Sequence, residues 1–138
     1  MVITEEISLS TKGFCDFHNI TAAVSNAVKA SGLQNGIATV FTPSATSANT
    51  TVEYESGMLA DFEGLMQRIA AQEWEYKHNL RWQDGNGFSH VRAALLGPSV
   101  TVPFVSGQLT LGTWQEIAFI DFDNRHRERR LIVQMIGE

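Results

Sequence analysis

Polar and apolar positions along the first half of the chain predict strands and helices in alternation. Val2 to Leu9 is rich in β-branched residues and reads as a strand, which Gly13 breaks. Phe14 to Phe17 begins a second short strand or a turn. From Ile20 to Ser31 the apolar residues Ala22, Ala23, Val24, Ala27 and Val28 form one helical face. Asn19 or Thr21 is placed to cap this helix at its start, and Gly32 suits its C′ position. Gly36 to Phe41 is a short, mostly apolar run expected as a buried strand, and Pro43 ends it.

The next stretch, Ser44 to Thr51 (SATSANTT), is dense in small hydroxyl and amide side chains and leads into Val52 to Glu55, which alternates like a strand. Leu59, Phe62, Leu65, Met66 and Ile69 recur at spacings of three and four, predicting a helix over Met58 to Ala71. Trp74 to Trp82 follows no clear period, and Gly85-Asn86-Gly87 signals a turn. Ser89 is placed to cap a short helix that Gly97-Pro98 stops. The last third holds four strand-like runs: Val100 to Val105, Gln108 to Leu111, Trp114 to Phe122 and Arg129 to Ile136. Short turns between them predict an antiparallel meander, and the whole order argues an α+β fold with a strand-rich core.

Composition narrows the class. A chain of 138 residues fits one domain, and 43% hydrophobic with 18% charged residues fits an ordinary globular protein with a real core. The longest apolar runs fall far below the ~18–20 residues of a membrane span. The start, MVITEEISLS, lacks the basic region of a signal peptide. A single cysteine, Cys15, forms no internal disulfide and fits a reducing compartment, so a cytoplasmic protein is expected. The net charge of −5 argues against bulk binding of nucleic acid or anionic membrane.

Candidate chemistry is sparse. None of the four histidines belongs to an HExxH, CxxC or phosphate-loop motif. His90, at a predicted helix start, is the most informative: backbone N–H groups there favour an anion and disfavour a charged imidazole. A neutral His90 suits a metal ligand or general base, with Ser89, Asn86 and Arg92 orienting a phosphate. The plain alternative is a histidine that packs at a helix start. Thr42, Ser44, Thr46 and Ser47 offer hydroxyls to phosphate oxygens or water, Asn49 orients a neighbour, and Glu53 suits a divalent cation or a proton. A solvated loop is the plain reading of that segment. Arg125, Arg127, Arg129 and Arg130 form the one basic cluster, expected as a solvated hairpin. Cys15 is expected as a buried structural thiol.

Three segments together carry a resemblance. Asp84 to Ala93 (DGNGFSHVRA) runs into Leu95 to Ser99 (LLGPS), Leu109 to Gln115 reads LTLGTWQ, and the chain closes on Val133 to Glu138 (VQMIGE). With Phe41 to Thr46 and Thr51 to Glu55 upstream, the sequence resembles the YjbQ-like family, often labelled secondary thiamine-phosphate synthases, over nearly the whole chain. The resemblance implies an α+β domain with a β-sandwich core and outer helices, assembled as a homotrimer. It implies joining of a pyrimidine diphosphate to a thiazole phosphate with loss of diphosphate, helped by a divalent cation such as Mg²⁺ or Zn²⁺. His90, Glu53 and Asn86 are then the candidate catalytic residues, Ser89, Arg92, Thr46 and Gln115 the substrate or phosphate contacts, and His90 the metal-ligand candidate. Phe88 and Ser44 stand where relatives commonly carry histidine, which removes two imidazoles from any metal set. The alternative is a trimer that binds a phosphorylated metabolite or metal without chemistry.

Overall fold

The computed structural model describes residues 1–138 as two antiparallel sheets and four helices. The larger sheet runs β1 (Val2–Thr11), β8 (Arg127–Gly137), β3 (Gly36–Phe41), β5 (Ser99–Val105) and β6 (Gln108–Leu109). The smaller sheet runs β2 (Asp16–Asn19), β7 (Glu116–Asp121) and β4 (Ser47–Val52). The helices are α1 (Thr21–Ser31), α2 (Ser56–Ile69), α3 (Lys77–Trp82) and α4 (Gly87–Leu96). The α+β class expected from the sequence is the one observed.

The strand β7 organises the interior. Ile117, Ala118, Phe119 and Ile120 are all fully buried, because the central strand of the small sheet is covered on both faces. Ile117 and Phe119 join Val24 and Val28 of α1 and Val40, Val102, Leu131 and Val133 of the large sheet in one core. Ile120 and Phe122 face the other way, into a second core with Ala48, Met66 of α2 and Ala93 of α4. An uninterrupted apolar run is what a strand between two cores requires.

Several expectations are corrected here. The four C-terminal strands do not form one meander: β5 and β6 pair as a hairpin, while β7 crosses to the small sheet and β8 inserts between β1 and β3. Turn residues mark where a strand ends, but they do not fix its partner. The hydroxyl-rich segment is not a solvated loop. Ser47 to Val52 is strand β4, with Ser47, Ala48 and Asn49 buried. Several of its polar groups find partners inside the chain: Thr42 and Ser47 hydroxyls bond at 2.8 Å, and Asn49 Nδ2 donates to the Pro98 carbonyl, while Asn49 Oδ1 is buried without a partner. Val52 ends that strand, so Glu53 to Glu55 is not one. Glu55 instead caps α2, accepting from Gly57 N–H and Met58 N–H at 2.8 Å each.

The Arg125–Arg130 segment is not the expected solvated hairpin, since it joins strands of different sheets, and it is more anchored than expected. Arg129 Nε donates to Asp121 Oδ2 at 2.7 Å, and Arg127 reaches Asp123 Oδ2 at 3.2 Å. Both aspartates are fully buried, and Thr11 and Thr46 donate to them as well. Asp121-Phe122-Asp123 places two carboxylates on one side of the chain, and Arg127 and Arg129 answer them on the next strand. Burial pushes the Asp123 carboxyl up, but hydrogen bonds from Thr46 and Arg127 outweigh it and hold it below the usual range. Gly13 lies against this turn with φ +84°, and a Cβ there would sit 2.3 Å from the Asp123 carbonyl oxygen.

Candidate functional site

The N-terminal turn of α4 is built from short polar contacts. Asn86, not Ser89, precedes the helix, and Ser89 lies within its first turn. The buried Ser89 hydroxyl donates back to the Asn86 carbonyl at 2.7 Å and also reaches Asn86 Oδ1. Asn86 Oδ1 accepts from the Asn124 N–H at 3.2 Å, tying the helix to the β7–β8 turn. Gly87 fits tightly: its N–H donates to Asn79 Oδ1 at 2.8 Å, and a Cβ would meet Tyr76 at 2.5 Å. Asn86 and Ser89 are therefore the frame that aims the next residue, His90.

His90 opens onto a cleft of about 370 Å³ between α4 and the start of β4. Ser44, Ala45 and Ser47 line one side, and His90, Ala94 and Pro98 the other. Partial burial, and then the neighbouring His78, lower the affinity of His90 for a proton, against the opposing pull of Asp84 and Asp123. The shift favours the uncharged ring, and its causes are burial and His78 rather than the helix start on which the sequence reading relied. His78 and His90 rings lie 4.3 Å apart, and Asp84 stands 3.6 Å from His78 Nδ1. His78 and Asp84 were not singled out in the sequence, because α3 has too little apolar period to show which of its faces meets α4.

Arg92 is not part of this cleft. Two positions beyond His90, it lies about 200° around the helix and points to the other side. Its Nε donates to the Ala70 carbonyl and its Nη2 to Gln67 Oε1, both at 3.0 Å, over the face of Phe88. Arg92 is a buried tie between α4 and the end of α2. Thr46 likewise lines no cleft. Its hydroxyl donates to Asp123 and accepts from Arg129 at 2.8 Å, behind the wall that carries His90.

Glu53 and Gln115 lie elsewhere. Both line a separate cleft of about 420 Å³ with Thr51, Gly112 and Trp114, at the far end of β4. Six residues of extended strand separate the two ends, or about 20 Å. Gln115 Nε2 donates to Thr51 Oγ1 at 3.1 Å, and Glu53 is exposed. Within one chain they cannot act on a molecule held by His90.

The metal reading finds little support in the side chains. No group of three or more His, Cys, Asp or Glu converges anywhere in the chain. Phe88 is fully buried against Phe14, with ring centroids 6.2 Å apart, so it serves packing and supplies no ligand, as its apolar ring requires. A resident zinc site needs three or four converging ligands, and these residues do not fit one. Cys15 is buried in the second core, and burial first, then Glu63, pushes its thiol up to about 12. No helix is long and apolar enough to cross a membrane.

Known proteins agree with this architecture over the whole chain. A protein from Methanothermobacter thermautotrophicus described as a UPF0047 protein is 40% identical over 137 residues, covering 99% of this chain and 94% of its own. A second UPF0047 protein, from Archaeoglobus fulgidus, is 38% identical, covering 95% and 99%. The crystal structure of a YbjQ-like protein of unknown function from Sulfolobus solfataricus superposes with a TM-score of 0.94 at 32% identity, covering 100% and 99%. A YjbQ/UPF0047 family protein from Clostridium acetobutylicum gives a TM-score of 0.88 at 34% identity, covering 96% and 99%. The family profile described as UPF0047 protein YjbQ-like matches residues 5–138, and the chain belongs to that family.

Proposed function

We propose that the His90 cleft binds a small phosphorylated metabolite and supports a secondary thiamine-phosphate synthase-like reaction. In that reaction the carbon–oxygen bond to diphosphate breaks, and the thiazole nitrogen supplies the electron pair for the new carbon–nitrogen bond. Diphosphate leaves with the electron pair of the broken bond, so no proton transfer is required at the nitrogen. The observation that carries the reading is an imidazole of lowered proton affinity in a cleft lined also by Ser44 and Ser47, on a helix start fixed by Asn86 and Ser89. His90 and the half-buried Ser44 would donate hydrogen bonds to the departing oxygens. A divalent cation would enter with the diphosphate as its counter-ion rather than be held by the protein. Assembly as a homotrimer is part of the proposal. It is supported by the large apolar side chains left exposed in the single chain, Trp114 and Leu95 among them.

A second reading is favoured by one feature: neither lysine nor arginine lines the cleft. A pocket without a cation stabilises a leaving diphosphate weakly, which suits binding without turnover. Thiamine-phosphate formation from the two phosphorylated halves, with Mg²⁺, separates the two. A dedicated enzyme reaches kcat/KM of about 10⁴ M⁻¹s⁻¹ or more. We expect His90→Ala to lower the rate by a factor of about 10²–10⁴ with circular dichroism unchanged. Turnover that survives His90→Ala would remove the cleft from the chemistry, and a bound ligand recovered without turnover would favour the binding protein.

A further inference from the structure

The hydrogen bonds at the start of α4 run through Asn86, Gly87, Ser89 and Arg92, and none of them reaches the His90 ring. They place the backbone that carries His90 but leave the torsion of its imidazole unset. A histidine that presents one nitrogen to a ligand ordinarily has its ring fixed through the other nitrogen. Here the ring is met by another ring instead. The His78 and His90 centroids lie 4.3 Å apart with their planes tilted by 35°, a contact between faces rather than a hydrogen bond.

His78 is itself firmly placed. Tyr76 and Asn79 flank it in the chain, and both grip Gly87. Asn79 Oδ1 accepts the Gly87 N–H at 2.8 Å, and Tyr76 fills the space that a Cβ on Gly87 would need. Gly87 and His90 are one helical turn apart on the same face of α4. Gripping the first therefore brings the residue between Tyr76 and Asn79 over the second. The far edge of the His78 ring is set by Asp84: Nδ1 is buried without a hydrogen-bond partner, and Asp84 Oδ1 stands 3.6 Å from it. Asp84 is tied down in turn, since that oxygen accepts the Asn86 N–H at 3.1 Å and its carbonyl accepts Asn124 Nδ2 at 2.8 Å. Burying a ring nitrogen costs about 1–3 kcal/mol unless a group answers it, and this carboxylate is positioned to do so.

We propose that His78 is a positioning residue of the cleft: its ring, oriented by Asp84, packs on the His90 ring and fixes the plane in which that imidazole meets a bound phosphate ester. His78 does not line the cleft, so it acts through His90. The inference rests on the reading of His90 as the group that meets the departing oxygens, and it adds what aims that group. A donor misplaced by an ångström costs up to about 10²-fold in rate.

Three substitutions separate the ring of His78 from its link to Asp84. His78→Ala removes both, His78→Phe keeps a flat ring without the nitrogen, and His78→Asn keeps an N–H for Asp84 without the ring. The readouts are NMR relaxation of the His90 ring carbons, and kcat and KM for thiamine-phosphate formation with Mg²⁺, with circular dichroism as the check on folding. We expect the His90 ring to be restricted in wild type and His78→Phe, and mobile in His78→Ala and His78→Asn. The two mobile variants should lose about 10–10²-fold in kcat with KM changed by less than about threefold, and His78→Phe should stay within about threefold of wild type. A His90 ring as restricted in His78→Ala as in wild type would overturn the inference. So would His78→Asn behaving as wild type while His78→Phe fails, because His78 would then only tie α3 to the Asp84 loop. Should wild type not turn over, the proposed chemistry falls and the ring relaxation alone decides the positioning. Should His78→Ala not fold, His78→Phe and His78→Asn decide it.

Discussion

The two ends of strand β4 were expected to share one site, and they differ in kind. At the Ser47 end, Thr46, Asn86, Ser89, Asp121 and Asp123 are buried and bonded to one another across four elements. At the Val52 end, Glu53, Trp114 and Gln115 are exposed, and Gln115 has only local partners. The first end has polar groups whose positions are over-determined, the second has groups free to follow solvent. Precise placement of an imidazole is available only at the first, and the perturbed histidine is found there.

The sharpest way to break this comparison is to remove Arg129. Its side chain is 13% exposed and spans both buried aspartates, so Arg129→Ala leaves uncompensated carboxylates. A loss of about 3–5 kcal/mol in urea unfolding is expected. Gly13→Ala should come next, at about 1–3 kcal/mol, since it forces a Cβ into the Asp123 carbonyl at a positive φ. Ser89→Ala removes one buried hydrogen bond and should cost about 1 kcal/mol. Glu53→Gln and Gln115→Ala should each stay within about 0.5 kcal/mol. If the far-end variants cost as much as Ser89→Ala, the distinction between the ends fails.

Acid sharpens the same contrast. Asp123 is held below its ordinary range, so the folded state binds fewer protons there than the unfolded chain. The stability it contributes is present above the unfolded carboxyl value of about 4 and is lost as pH falls through the lower folded value. Thermal melts from pH 6 to pH 2 should show this loss, and Asp123→Asn should flatten the dependence. An unchanged slope in that variant would assign the acid sensitivity to other carboxylates.

Much of this was legible in the sequence, and the failures have physical causes. The period of α2 and the Gly32 stop of α1 depend on neighbours within one turn, and both helices are where the pattern placed them, although Ile20 rather than Asn19 or Thr21 stands at the N-cap of α1. Strand β4 was hidden because Ser, Thr and Asn look like surface until their hydrogen-bond partners are known, and the partner of Asn49, the Pro98 carbonyl, is distant in sequence. The meander failed because β7 leaves for a second sheet, a choice set by both cores rather than by the turn before it. Arg92 was misplaced by reading proximity along the chain, although two helical steps already turn a side chain away from His90. The separation of Glu53 from His90 needed only the length of a strand, but Ser47 to Val52 first had to be recognised as one.

The pairing of β1 with β8 brings the two ends of the chain together: the Met1 ammonium donates to the Gly137 carbonyl at 2.8 Å. For construction purposes the fold is nearly a closed ring, and its natural seam lies beside Val2 and Ile136. An affinity handle on either end therefore emerges at the rim of the five-stranded sheet. Joining the ends by a short linker and reopening the ring at the exposed Ser106–Gly107 turn would move the handle to the other edge of the sheet.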